Sequence, residues 1–213
     1  MTGTKATALE AACAAAGRAF VRFDYFGHGA SGGDFTDGTI GRWRDDALAV
    51  LDKLTEGGQV LVGSSMGGWI MLLTALARPQ RIHGLIGVAA APDFTEDLMW
   101  DRFGEATRRA LATEGVYREA NPYGEPTPVT MGLIEDGRRH LLLRGPIPIR
   151  CPVRLLHGKD DAEVPWATST RLADALESPD VAVSLVEGGD HRLSNDADLA
   201  RLIATVEEVC GLR

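Results

Sequence analysis

The sequence predicts an α/β protein: a mostly parallel sheet flanked on both faces by helices. Two observations carry this. Short apolar runs alternate with helical stretches along the chain, and several of those runs are apolar at nearly every position, as strands buried on both faces must be. Size and composition agree, since 213 residues with 45% hydrophobic and 24% charged residues suit one good-sized packed domain.

Taken in order, residues 4–16 (TKATALEAACAAA) are Ala-rich and helical, with Thr2 or Thr4 as the cap and Gly17 as the stop. The β-branched and aromatic run 19–25 (AFVRFDY) reads as a strand, and a Gly-rich loop (FGHGASGGDFTDG) leads to a helix over roughly 39–56. A strand at 60–64 (VLVGS) runs into an apolar helix at 66–77, and 82–91 (IHGLIGVAAA) is a strand buried on both faces. Strands at 152–158 (PVRLLHG) and 181–187 (VAVSLVE) are each followed by a helix, near 166–177 and 196–210. Residues 93–149 break the rhythm with Phe94, Trp100, Phe103, Tyr117 and Tyr123 among many charges and a Pro-rich stretch. Such a long excursion reads as a mostly helical cap, inserted into a core made of 1–92 and 150–213.

Composition also excludes. A net charge of −8 opposes a nucleic-acid partner, whose phosphates need a basic face. No apolar run reaches 18 residues, so no membrane span is expected. Cys13, Cys151 and Cys210 are odd in number and far apart, which suits structural thiols in a reducing compartment. With no charged and apolar leader at the start, the expected location is cytoplasmic. No P-loop, HExxH or Cys/His cluster is present, so neither a cofactor nor a metal is expected.

Chemistry concentrates at Gly63-Ser64-Ser65-Met66-Gly67, where a strand turns into a helix. That is the setting of a nucleophile elbow, which holds its serine in a strained turn with the hydroxyl exposed. Ser65 is the candidate nucleophile, and the Met66 N–H, at the helix N-terminus, a candidate oxyanion donor. A serine needs a base. Of His28, His83, His140, His157 and His191, His191 lies on a Gly-rich loop (EGGDHRLS) at a strand's C-terminal end, where sheet enzymes gather reactive groups, whereas His83 opens a strand and His140 lies in the cap. His157 ends a strand but precedes a glycine and reads as a packing or turn residue. Asp161, in HGKDDAEVP, is the candidate acid, Asp160 a turn residue, and Asp93 the alternative acid. The order Ser65, Asp161, His191 is that of an α/β-hydrolase. A competing motif, Gly27-His28-Gly29-Ala30-Ser31-Gly32, fits the dinucleotide pattern but does not open a helix directly, and no acidic residue ends the next strand.

The chain resembles the α/β-hydrolase superfamily, and within it the group of alpha/beta-hydrolase domain-containing protein 10, described as palmitoyl-protein thioesterase and acyl-glucuronide esterase. The matching stretches include TGTKATALE, RFDYFGHGASGG, VLVGSSMGGWIML, PIPIRCPVRLLHGKDDAEVPW and GDHRLS. The resemblance implies Ser65, Asp161 and His191 as the triad, Met66 as an oxyanion donor, and cofactor-free hydrolysis of small acyl esters or thioesters. Family members carry N-terminal strands and an oxyanion loop before TGTKA, where this sequence has Met1. The expectation is therefore that these strands are missing here, one of them from between residues 19–25 and 60–64. Apolar cap residues (Phe94, Met99, Trp100, Phe103) are expected to form an acyl pocket or to pack within the cap. Two alternatives stay open: another hydrolase of this fold, such as an aminopeptidase or C–C hydrolase, or a non-catalytic ligand-binding protein.

Overall fold

The computed structural model describes residues 2–119 and 126–211; Tyr123 and most of the Pro-rich stretch of the expected cap lie outside them. Helix α1 (Thr4–Ala15) is capped by Gly3, without the side-chain bond expected of a threonine, and Gly17 turns the chain away at φ 64°. Residues 18–25 then run on without joining a sheet, and here the expected strand is not formed. Propensity in AFVRFDY is real, but a strand exists only through a partner ladder. Instead Phe20 packs on the cluster around Leu9 and Ile86, and Tyr25 on the cluster around Trp43 and Trp69.

Helix α2 (Ile40–Leu54) begins at Thr39, whose hydroxyl accepts from the Arg42 N–H at 3.2 Å. Strand β1 (Gln59–Ser64) passes into α3 (Met66–Ala77), and β2 (Ile82–Val88) follows. The chain then forms a π-helical turn (Thr95–Met99), a 3₁₀ turn (Trp100–Arg102), α4 (Glu105–Glu114), an antiparallel pair of β3 (Val116–Glu119) with β4 (Thr127–Thr130), and α5 (Met131–Arg138). The β3–β4 pair was not expected, because four residues are too few to reveal a period of two and Pro128 masks the second strand. Strand β5 (Val153–Gly158), α6 (Ala167–Ala175), β6 (Val181–Val186) and α7 (Asp196–Val209) complete the fold close to their expected positions.

The main sheet has the order β1-β2-β5-β6, parallel throughout. Alternation across β2 and β5 divides the core into two layers. Leu85, Val153 and Leu155 meet Met71 and Leu72 of α3 and Leu172 of α6, whereas Ile86, Val88 and Leu156 meet Leu9 of α1 and Leu202 and Val209 of α7. Strand β1 is an edge of this sheet. Residues 19–23 face it across a cavity of about 330 Å³, lined largely by apolar side chains such as Leu9, Phe20, Val60 and Val62.

Candidate active site

Ser65 sits between β1 and α3 at φ 54° and ψ −122°, a conformation that costs a non-glycine residue about 1–3 kcal/mol. Contacts to the end of β2 hold it there: the Ser65 N–H donates to Val88 O at 2.9 Å, and the Ala91 N–H donates to Ser65 O at 3.1 Å. Bare backbone makes the turn possible. A Cβ at Gly63 would stand 2.3 Å from the Gly67 carbonyl oxygen, and one at Gly68 would stand 2.5 Å from the Ala90 Cβ. Gly67, by contrast, faces open space apart from the Tyr25 hydroxyl at 3.9 Å, so Gly68 rather than Gly67 makes the close approach. Gly63→Ala is expected to lower the unfolding free energy by about 1–3 kcal/mol, as measured by denaturant titration; an unchanged midpoint would show that the elbow yields.

The loops after β5 and β6 are pressed together by a second pair of glycines. A Cβ at Gly158 would lie 2.2 Å from Gly189 O, and the Asp160 N–H donates to Gly189 O at 2.9 Å. Asp190 steadies the second loop by accepting from the Arg192 and Leu193 N–H groups, and Lys5 of α1 donates to Arg192 O. This closure brings His191 to Asp161 and Ser65. His191 Nδ1 is 2.8 Å from Asp161 Oδ2, and His191 Nε2 is 3.1 Å from Ser65 Oγ. The carboxylate assigns the proton to Nδ1, leaving Nε2 to accept from the serine hydroxyl. A hydroxyl so placed can pass its proton to the imidazole as it attacks.

Asp161 has no exposed side-chain surface. Burial alone pushes its pKa up, but bonds from His157 and His191 and from the Val164 and Glu163 N–H groups outweigh this and hold it well below the usual carboxylate range. For His191, burial lowers the pKa and Lys5 opposes the charged form. The Asp161 hydrogen bond and charge, aided by Glu163, prevail and raise it above the ordinary 6.5.

The other candidates go elsewhere. Asp93, also fully buried, accepts from the Leu142 and Leu143 N–H groups at 2.7 and 2.8 Å and ties down the start of the chain leading to β5. His28 stacks edge-on against Phe35 and Trp43, and the Trp69 indole donates to the His140 carbonyl. In the Gly27–Gly32 motif, the Gly27 N–H donates to Gly32 O and the Ala30 N–H to Asp24 Oδ2. These donors close the loop on itself instead of facing a phosphate. Phe94 packs on Trp69, and Met99, Trp100 and Phe103 pack around Leu111, Val129 and Ile134. Of the two expectations for these apolar residues, packing is the one their contacts match. Among the described residues no group of three His, Cys, Asp or Glu could hold a metal ion, and no helix is long and apolar enough to cross a membrane.

One residue of the site escaped the sequence reading. His157, taken as a packing or turn residue, has its Nε2 3.1 Å from Asp161 Oδ2. Its signal was the spacing of four residues to Asp161 across the tight turn that ends β5.

A parallel sheet with helices on both faces, a strained serine after a strand, and an acid and a histidine gathered from two later strand ends define a class. The chain belongs to the alpha/beta hydrolase family, whose model matches residues 4–205. It is 42% identical over 211 residues to palmitoyl-protein thioesterase ABHD10, mitochondrial, of Bos taurus, covering 98% of this chain and 69% of that protein, and matches the Homo sapiens protein of the same name to the same extent. Among solved structures, alpha/beta hydrolase domain-containing protein 10 from mouse superposes with a TM-score of 0.91 at 41% identity, covering 99% of this chain and 85% of that one. A solved protein from Agrobacterium vitis S4 gives 0.95 at 42% identity, over 98% and 83% of the two chains. The expected fold and family are borne out, and the names of the relatives agree with an ester or thioester hydrolase. The expected cytoplasmic location is not, because these mammalian relatives are named as mitochondrial. Three free cysteines do not distinguish one compartment from another.

Proposed function

We propose that the chain hydrolyses carboxylic esters or thioesters through an acyl-enzyme on Ser65, with His191 as general base and acid and Asp161 as its orienting carboxylate. The observation that carries this is the continuous path from Ser65 Oγ to His191 Nε2 at 3.1 Å and from His191 Nδ1 to Asp161 Oδ2 at 2.8 Å. Ser65 Oγ attacks the acyl carbon and His191 Nε2 takes its proton. The tetrahedral oxyanion is met by the Met66 N–H, which, as the first residue of α3, has no helical carbonyl to bond. The imidazolium, stabilised by Asp161, returns the proton to the leaving alcohol or thiol. Water, deprotonated by the same nitrogen, then releases the acid and frees Ser65. Residues 93–149 are the proposed cap over this chemistry. Palmitoyl-protein thioesters, for which the mammalian relatives are named, are the first substrate class to test.

The test is reaction of the purified chain with a fluorophosphonate probe and turnover of a palmitoyl thioester and a p-nitrophenyl ester. A single adduct mapping to Ser65, with turnover of at least one substrate, is expected. Labelling elsewhere, or none, would overturn the assignment.

The pH profile is a further check. Attack requires neutral His191, so kcat/KM should fall with acid through a pKa above 6.5, the ordinary imidazole value. Asp161 and Glu163 hold that pKa up, and Lys5 opposes them. Glu163 Oε2 lies 3.5 Å from His191 Nε2. Glu163→Gln is therefore expected to move the acid limb to lower pH, read from kcat/KM against pH; an unmoved limb would mean that solvent screens this charge.

A further inference from the structure

His157 is a fully buried titratable group that the proposed chemistry leaves without a role. Its ring is held at both nitrogens. Nε2 faces two acceptors, Asp161 Oδ2 at 3.1 Å and the Val164 carbonyl at 2.9 Å, and Nδ1 lies 2.7 Å from Ser169 Oγ in α6. An ionised carboxylate and a carbonyl cannot donate, so Nε2 carries a proton, and in the neutral ring the Ser169 hydroxyl donates to Nδ1. The consequence falls on Asp161. Its Oδ1 accepts from the Glu163 and Val164 N–H groups at 2.9 and 2.8 Å, and its Oδ2 accepts from two imidazoles, His157 and His191. Four donors thus occupy the carboxylate's four acceptor directions. One of the four, His191, must move charge during the proposed reaction. His157 is the fixed donor on the same oxygen, anchored to β5 by its backbone and to α6 through Ser169.

We infer that His157, backed by Ser169, is a positioning residue that fixes the Asp161 carboxylate and moderates its pull on His191. This rests on the proposed roles of Ser65, Asp161 and His191. A residue that only packed the turn would need none of this polarity, since a phenyl ring fills similar space. The charged groups facing the pair are Asp161 itself, Glu163 on the same turn and Lys5 from α1; Ser169 and the Val164 carbonyl are neutral.

The test compares His157→Phe, His157→Gln and Ser169→Ala in the full chain, with thermal unfolding to establish that each folds. With one donor gone from Oδ2, the carboxylate attracts the His191 imidazolium more strongly. The acid limb of the His157→Phe profile should therefore move to higher pH, and kcat should fall about 10- to 100-fold with little change in KM, as expected when a reacting group is slightly misplaced. His157→Gln, which keeps an N–H donor, should recover much of the loss. Ser169→Ala retains the imidazole and should shift the limb in the same direction by less, and it carries the test if His157→Phe does not fold. Unmoved acid limbs in the folded variants, with kcat within about threefold of the parent, would overturn the inference. NMR titration of the His191 ring in the unreacted protein needs no turnover. Should the parent chain fail to label with fluorophosphonate, the proposed function fails by itself. A raised His191 midpoint in the variants would still support the coupling, and an unchanged one would reject it.

Discussion

Replacing Ser65 with alanine is expected to abolish fluorophosphonate labelling and to lower kcat for a p-nitrophenyl ester by about 10⁴-fold or more, the scale seen when a nucleophile acting as one unit with its base is removed. The residue's backbone sharpens the experiment. Ser65 is held at φ 54°, so alanine inherits the strain and should unfold near the parent's midpoint. Glycine adopts that conformation without penalty, and Ser65→Gly should gain on the order of 1 kcal/mol in denaturant unfolding while remaining equally inactive. A variant that loses activity and gains stability identifies a residue kept for chemistry. Persistent labelling in Ser65→Ala would remove it from the nucleophile role.

Asp161→Asn is expected to cost about 10⁴-fold in kcat, the effect of a wrong histidine tautomer in a comparable triad. Every acceptor position on Asp161 meets a donor: two imidazole N–H groups on Oδ2 and two backbone N–H groups on Oδ1. An amide supplies one oxygen and one NH₂, so one of those donor pairs must face another donor. If the NH₂ turns toward His191, the ring responds by protonating Nε2, which can then no longer accept from Ser65. If it turns toward Glu163 and Val164, two backbone donors lose their partner, at about 1–3 kcal/mol for each one left buried. Kinetics and thermal unfolding of one variant therefore report both arms. A loss smaller than tenfold would place the orienting acid elsewhere; Asp93, already engaged by Leu142 and Leu143, is not within the described contacts of His191.

Much of this arrangement is legible in the residues because it depends on short-range rules. Helix α3 spans Met66–Ala77 as its apolar run indicates, and β2 is buried at every position but His83, as a run with few polar residues requires. The strand-turn-helix context of GSSMG marks Ser65 without any knowledge of its partners. What failed to show was decided at long range. AFVRFDY has the composition of a strand, yet a strand needs a partner ladder, and residues 19–23 stand across a cavity from β1. The β3–β4 pair is too short for its period to appear. His157 reads as a turn residue because its ring meets Asp161 Oδ2 and Ser169 Oγ only once the turn after β5 has closed and α6 has packed against it.

By itself, then, the sequence determined the alternation of strands and helices, the strained turn at Ser65 and the chain order of serine, acid and histidine. These follow from side-chain period, turn chemistry and motif spacing, all of which act within a few residues. Only the tertiary structure decided that Gly158 and Gly189 close one loop on another and bring His191 to Asp161, that Asp93 stays with the chain leading to β5, and that a second imidazole shares the carboxylate. A hydrogen bond between groups 30 or 126 positions apart, as from His191 to Asp161 and to Ser65, exists only once the sheet has set the strand ends side by side.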